Sequence, residues 1–214
     1  MLSIKKLRGG DGLRLYVIRH GKTHCNEKRL YCGKQNVSLS ENWVLNLKEL
    51  KKQFYYPLSN LYFTSGAKRA NETLEILFPK IKYEQREELR EYDFGDFELK
   101  SYDELKENKD YIKLILDKEG SISCPNGESR IDFNKRIKDG FIKFLRDLEK
   151  KKAKDICLIT HGGVIVSILS EFLKGNNKNF YDLQPSCGQG YELEISFYEK
   201  DIEVIVKNKI PMKR

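Results

Sequence analysis

Residues 13–23 read Leu13-Arg14-Leu15-Tyr16-Val17-Ile18-Arg19-His20-Gly21-Lys22-Thr23, a largely apolar run that ends in arginine, histidine and glycine. The arrangement returns at Ile156-Cys157-Leu158-Ile159-Thr160, followed by His161-Gly162-Gly163. The chain holds only 3 histidines, and two of them close an apolar run and precede a glycine. Short apolar runs bounded by glycine turns predict buried central strands, here Leu13–Ile18 and Ile156–Thr160. Everything else in the chain can be placed outward from these two.

After the first strand a polar loop runs to about Ser38, with Gly33 and Asn36 as turn residues. Ser38 or Ser40 can cap a helix carrying Trp43, Val44, Leu47, Leu50 and Phe54, which Pro57 ends. Leu58–Thr64 predicts a strand, and Ser65-Gly66-Ala67 opens a helix through Phe78. Lys80–Glu84 predicts a short strand, and Glu87–Glu98 an irregular acidic and aromatic stretch. Ser101 caps a helix to about Lys118, and a loop spans residues 120–129. The clearest helical stripe is Phe133, Ile137, Phe141, Phe144, Leu145 and Leu148. Val164–Leu173 predicts a helix, and Tyr191–Tyr198 and Ile202–Val206 two strands joined by a tight turn near Lys200-Asp201.

Strands alternating with helices predict an α/β fold. The expected architecture is a three-layer α/β/α sandwich with a mostly parallel mixed sheet and an antiparallel edge hairpin. One domain over residues 1–214 suits the length, with 1–12 as a flexible lead-in. Ligands of such sheets bind beyond the carboxyl ends of the strands, where both histidines stand.

Lysine plus arginine number 40 against 32 acidic residues, a net charge of +8 that attracts anions without naming one. The densest basic block, Lys150 to Lys154, ends a predicted helix, where positive charge suits the helix dipole. Five cysteines, Cys25, Cys32, Cys124, Cys157 and Cys187, are widely spaced, with no C-x-x-C pair. This pattern fits a reducing compartment rather than a disulfide scaffold. No apolar leader and no membrane-length apolar run is legible, so a cytoplasmic location is expected, with no membrane partner.

A phosphate at a strand-to-helix turn needs backbone N–H groups and cationic forks. Arg19, at a strand end, and Arg69, one turn into a helix that follows another strand, can bind phosphate oxygens bidentately. A zinc reading would use His20, His24, Cys25 and Cys32, but these lie in a glycine-containing turn and lack ligand spacing, so no metal is expected. A neutral histidine among arginines can attack phosphorus, and a second histidine can stabilise charge on the phosphoryl oxygens. An acid is also needed, because an alkoxide leaves poorly. Crowding and burial by Tyr92 and Phe94 favour a protonated carboxyl in this stretch. The residues alone do not choose among Glu87, Glu88 and Glu91.

Arg19-His20-Gly21-Lys22-Thr23 resembles the signature of the histidine phosphatase superfamily, the phosphoglycerate mutase-like family. Five further stretches resemble its motifs in family order. They are Asn26, Ser65-Gly66-Ala67-Lys68-Arg69-Ala70-Asn71-Glu72-Thr73, Leu89 to Glu98, Pro125-Asn126-Gly127-Glu128-Ser129, and Thr160-His161-Gly162-Gly163. The resemblance implies a phosphoglycerate mutase-like fold and His20 as the phosphorylated nucleophile. It implies a phosphate pocket of Arg19, Arg69, His161 and Gly162, assisted by Asn26. It implies Glu91 as the proton donor, two steps through a phosphohistidine, and no cofactor.

Three positions depart from the family pattern. Lys22 replaces a glutamate or glutamine, Asn42 a glycine, and Leu99 a glycine, so the local backbone at Leu99 is expected to differ. Lys22, Thr23 and Gly33 are expected at the substrate entrance. The segment Leu99–Pro125 lacks the long basic insertion of the mutases and is similar to the short α-ribazole phosphatases. The expected activity is phosphomonoester hydrolysis on a small phosphorylated metabolite, with α-ribazole 5′-phosphate leading. A cofactor-dependent phosphoglycerate mutase is the alternative, and a non-catalytic anion- or nucleic-acid-binding module the alternative of another class. No nucleic-acid partner is expected, and the chain is expected as a monomer or homodimer.

Overall fold

A computed structural model describes residues 12–173, 180–198 and 201–214. The expected lead-in lies outside the described residues, apart from Gly12, as does most of the turn at 200–201.

The elements in chain order are β1 (Leu13–Arg19), α1 (His24–Glu27), α2 (Glu41–Gln53), β2 (Phe54–Tyr55), β3 (Leu61–Thr64), α3 (Lys68–Leu77) and β4 (Glu84–Gln85). Then come α4 (Tyr102–Leu105), α5 (Lys109–Leu116), α6 (Arg130–Lys150), β5 (Asp155–Thr160), α7 (Gly162–Phe172) and α8 (Phe180–Leu183). The chain ends in β6 (Gly190–Phe197), β7 (Ile202–Ile210) and β8 (Met212–Lys213).

The main sheet has the order β4-β3-β5-β1-β6-β7. Its first four strands are mutually parallel, while β6 and β7 form the antiparallel edge hairpin. Side chains alternate across the sheet as the strand period requires. Leu15, Val17, Ile156 and Leu158 face α6 and α7. Tyr16, Ile18, Cys157 and Ile159 face α2 and α3. The three-layer sandwich is therefore the observed architecture.

The two central strands send their chains to opposite faces. From β1 the chain passes through α2 to β3, and from β5 through α7 to β6. Arg19 pairs in register with Thr160, so His20 and His161 leave the sheet side by side at this switch point. The amide of His20 donates to the carbonyl of Thr160 at 2.9 Å, which holds the two strand ends level.

Several expected elements differ in extent, each for a local reason. The helix expected over residues 101–118 is two helices, because Asn108 accepts from the amides of Asp110 and Tyr111 and starts α5 afresh. The helix expected to run to Pro57 stops at Gln53, because Phe54 and Tyr55 pair with β8. The Lys80–Glu84 strand is only Glu84–Gln85, since Lys80 takes a left-handed turn at φ 66°. β3 starts at Leu61, later than Leu58, and β7 continues to Ile210, beyond Val206. The short helices α1 and α8 carry no hydrophobic period to announce them.

Candidate active site

His20 is 5% exposed and His161 fully buried, and their rings meet edge to face with centroids 5.1 Å apart. Nδ1 of His20 donates to the carbonyl of Gly21 at 2.6 Å, since a carbonyl only accepts. The lone pair therefore sits on Nε2, where the Nε–H of Arg69 points at it from 3.2 Å. Burial first, then the Arg69 charge, with a further contribution from Arg19, hold His20 well below the usual imidazole value. Burial and Arg69 do the same for His161. Both rings are neutral near pH 7, and a neutral imidazole is the nucleophilic form.

Arg69 is itself 1% exposed, which demands partners for its charge. Its two terminal nitrogens donate to the carbonyls of Gly33 (2.7 Å) and Gln35 (2.8 Å). That loop is in turn held by Glu98, whose carboxylate accepts from the amides of Gly33 (3.0 Å), Lys34 (2.8 Å) and Phe94 (3.2 Å). Arg19 donates to the carbonyl of Pro185 at 2.9 Å, while its Nε is buried with no hydrogen-bond partner. Nδ1 of His161 is likewise buried and unpartnered, while its Nε2 and the Ser65 hydroxyl lie 2.7 Å apart. Unspent buried polar atoms are rare in folded proteins, and two beside paired arginines mark an anion site.

Among the three acidic candidates, only Glu91 reaches this centre. Its carboxylate accepts from the amides of Tyr92 (3.0 Å) and of Gly163 (3.1 Å), two residues beyond His161. Glu88 faces Arg86, and Glu87 pairs with Arg90 at the surface. A β-carbon on Gly163 would stand 2.4 Å from the Glu91 carboxylate, and one on Gly162 3.1 Å from the Arg19 guanidinium. Both glycines allow side chains to close on the start of α7.

From Glu91 and Gly163 a cavity of about 840 Å³ extends under α5 and along α7. Tyr31, Tyr92, Phe94, Phe133, Ile122 and Val166 give it an apolar and aromatic wall. Phe97 and Tyr111 also line it, and with Leu105 and Cys124 they form a small core against which Tyr31, Tyr92 and Phe94 pack. Asn26 lines the same cavity, with its carbonyl oxygen accepting from the amide and hydroxyl of Thr23.

The residues expected at the substrate entrance have these surroundings. Thr23 is 1% exposed and caps α1 in a reciprocal capping box with Asn26. Gly33 is buried, and a β-carbon there would overlap the Tyr92 carbonyl at 1.6 Å. Lys22 lays its ammonium 5.6 Å from the centre of the Trp43 ring. None of the three lines the cavity. His24 is exposed, and burial pushes the Cys32 thiol up to about 12, which keeps a thiolate nucleophile out of the cavity wall. Among the described residues, no three His, Cys, Asp or Glu side chains are grouped to hold a metal ion. No described helix is long and apolar enough to cross a membrane.

Leu99 takes φ 62°, a left-handed conformation that glycine adopts freely. The expectation of a changed backbone here gives way to a leucine held in a glycine-type conformation, its amide donating to the Tyr31 carbonyl at 2.7 Å.

Four contributors escape a reading of the sequence by residue type. Ser65 and Thr73 flank Arg69 within one motif. Thr73 accepts from the Gly21 amide (3.0 Å) and donates to the Arg69 carbonyl (2.6 Å). Glu98 closes the acidic motif. Gln184 lines the cavity, its Nε2 only 2.7 Å from where a Gly162 β-carbon would be, and no motif announces it.

Known proteins share this plan. The Salmonella typhimurium adenosylcobalamin/α-ribazole phosphatase is 24% identical over 166 residues, 75% of this chain and 80% of that protein. A Hydrogenobacter thermophilus protein provisionally named phosphoserine phosphatase 2 is 26% identical over 161 residues, 73% of this chain and 76% of that one. The crystal structure of the α-ribazole phosphatase from Shigella flexneri superposes with a TM-score of 0.77 at 23% identity, covering 94% of this chain and 99% of that one. The family model of the histidine phosphatase superfamily (branch 1) matches residues 15–208, and the chain belongs to that superfamily.

Proposed function

We propose that this chain is a phosphomonoesterase that works through a phosphohistidine on His20. The observation that carries the reading is the buried, neutral His20 with its Nε2 lone pair set beside Arg69. A phosphoryl dianion lodges between Arg19, Arg69 and His161, whose charges and buried donors replace its water. Nε2 of His20 attacks phosphorus as the P–O bond to the alcohol breaks, and Glu91 gives its proton to the departing oxygen. Water then attacks the phosphohistidine, Glu91 takes the water's proton, and inorganic phosphate leaves. The arginines supply the charge neutralisation, so the scheme needs no cofactor.

α-Ribazole 5′-phosphate leads among substrates. Two features support it: similarity to the Salmonella enzyme over most of its length, and a cavity wall suited to a flat, uncharged leaving group. A mutase would need cations to hold a glycerate carboxylate. Among the described residues the charged side chains lining the cavity are Glu91, Asp117, Glu171 and Arg130. The one cation, Arg130, donates to the carbonyls of Asp117 and Lys118. We expect a small phosphorylated substrate, no nucleic-acid partner, and a monomer or homodimer.

The test is phosphate release from α-ribazole 5′-phosphate, phosphoserine, 3-phosphoglycerate and p-nitrophenyl phosphate. The reading expects turnover of the first and the last, with an acid-labile phosphoenzyme that His20→Ala abolishes. Interconversion of phosphoglycerates stimulated by 2,3-bisphosphoglycerate, with little phosphate release, would establish the mutase instead. No turnover of any ester would leave a binding module.

A further inference from the structure

The Pro125–Ser129 motif does not line the cavity, yet its glutamate has an unusual partner. Arg136, two turns into α6, spends all five of its N–H donors. Its Nε and one terminal nitrogen fork onto the Glu128 carboxylate at 2.7 and 2.9 Å. The other terminal nitrogen donates to the carbonyls of Glu88 (3.0 Å) and Arg90 (3.1 Å), and the first also to the carbonyl of Glu91 (3.2 Å). Three carbonyl acceptors within four residues of the loop that carries Glu91 are thus gathered on one rigid, planar cation. The Phe133 ring lies 5.3 Å beneath it.

Glu128 fastens the other side of the same loop. Its carboxylate accepts from the Asp93 amide at 3.1 Å, and its carbonyl accepts from the Tyr92 hydroxyl at 2.6 Å. Its amide donates to the Asp93 carbonyl at 3.0 Å. The backbone is therefore held on both sides of Glu91, and Arg136 does not line the cavity. Among the described residues the Glu91 carboxylate is hydrogen-bonded by two main-chain amides, so the position of its α-carbon decides where its proton goes.

We propose that the Arg136–Glu128 pair is the positioning device for Glu91, setting proton delivery to the leaving oxygen without touching substrate. This rests on the reading of Glu91 as the acid. Proton transfer is steep in distance, and a misplacement near 1 Å costs on the order of 10²-fold. Lysine can replace the device only in part, because it keeps the charge but has neither the fork nor the five donors.

The experiment compares Arg136→Met, Arg136→Lys and Glu128→Gln on an alkyl phosphate and on p-nitrophenyl phosphate, whose leaving group needs no proton. Arg136→Met should lose roughly 10²-fold in kcat/KM on the alkyl ester and less than about threefold in kcat/KM on the nitrophenyl ester, because kcat/KM reports phosphoryl transfer to His20 and not the later hydrolysis that both esters share. Arg136→Lys and the near-isosteric Glu128→Gln should show the same pattern to a smaller degree, which keeps the test open if Arg136→Met does not fold. Added to Glu91→Gln, Arg136→Met should cost less than about threefold more, because the group it positions is gone. Equal losses on both esters, a rise in KM alone, or full additivity with Glu91→Gln would overturn the proposal. A Glu91→Gln enzyme indifferent to the leaving group would remove the acid itself. A sensitive Glu91→Gln beside an indifferent Arg136→Met would leave the acid standing and remove only its positioning by Arg136.

Discussion

Arg69 aims its Nε–H at Nε2 of His20 across 3.2 Å, while its terminal nitrogens are tied to the carbonyls of Gly33 and Gln35. The same guanidinium keeps His20 unprotonated and, in the proposed reaction, binds the phosphoryl oxygens. Charge alone cannot reproduce that. Arg69→Lys should lower kcat/KM by roughly 10²–10³-fold, close to the loss in Arg69→Ala, in steady-state phosphate release. Recovery of most of the activity by lysine would show that geometry at Arg69 is dispensable.

Stability should depend on the two histidines in a definite direction. Each is neutral and buried when folded, with its proton affinity depressed, and takes up a proton near pH 6.5 once unfolded. Below that pH the unfolded chain binds more protons, so stability falls as pH falls, by about 1.4 kcal/mol per unit for each group. Above it the contribution is fully present and flat. Urea unfolding at about pH 7.5, 6.0 and 5.0 should show this slope, and His161→Gln should remove one share of it. An unaltered slope in the variant would mean that His161 is charged when folded.

Gly163 holds the acid by having no side chain. A methyl group there would meet the Glu91 carboxylate at 2.4 Å and push it from its amide. Gly163→Ala should cut kcat/KM for alkyl phosphates by roughly 10-fold or more while leaving kcat/KM for the nitrophenyl ester nearly intact. Kinetics on the two esters decide it.

Leu99 stores strain at φ 62°, with 44% of its surface exposed. Relief of about 1–2 kcal/mol on changing it to glycine is partly offset by about 0.5–1 kcal/mol of unfolded-state entropy. Leu99→Gly should therefore stabilise the chain by about 0.5–1 kcal/mol, read from the urea midpoint. Destabilisation would show that the leucine side chain contributes packing that outweighs the strain.

How much of this was written in the sequence depends on the range of the interactions involved. The two histidines were legible because apolar runs mark the central strands, and parallel register brings Arg19 opposite Thr160. Glu91 needed the family motif, since Glu87 and Glu88 are its chemical equals and only the fold turns them away. Thr23, which follows the signature, caps a four-residue helix that no hydrophobic period announces. Gly33 is explained by the Tyr92 carbonyl, a contact between segments nearly sixty positions apart that no local pattern encodes. Gln184 stands beside Gly162 through the same kind of long-range closure.

The switch point between β1 and β5 separates two kinds of change. In the proposed reaction the phosphate is met by residues at the ends of β1 and β5 and at the start of α3. The cavity wall comes mainly from the excursion between β4 and α6 and from the outer side of α7. Insertions in that excursion can reshape the wall without disturbing the strand register that aligns the histidines. The molecule is thereby divided into a phosphate-handling engine and a separable nose, and grafting a relative's segment between Lys100 and Cys124, which spares Glu98 and Glu128, is the natural way to give this scaffold a new ester.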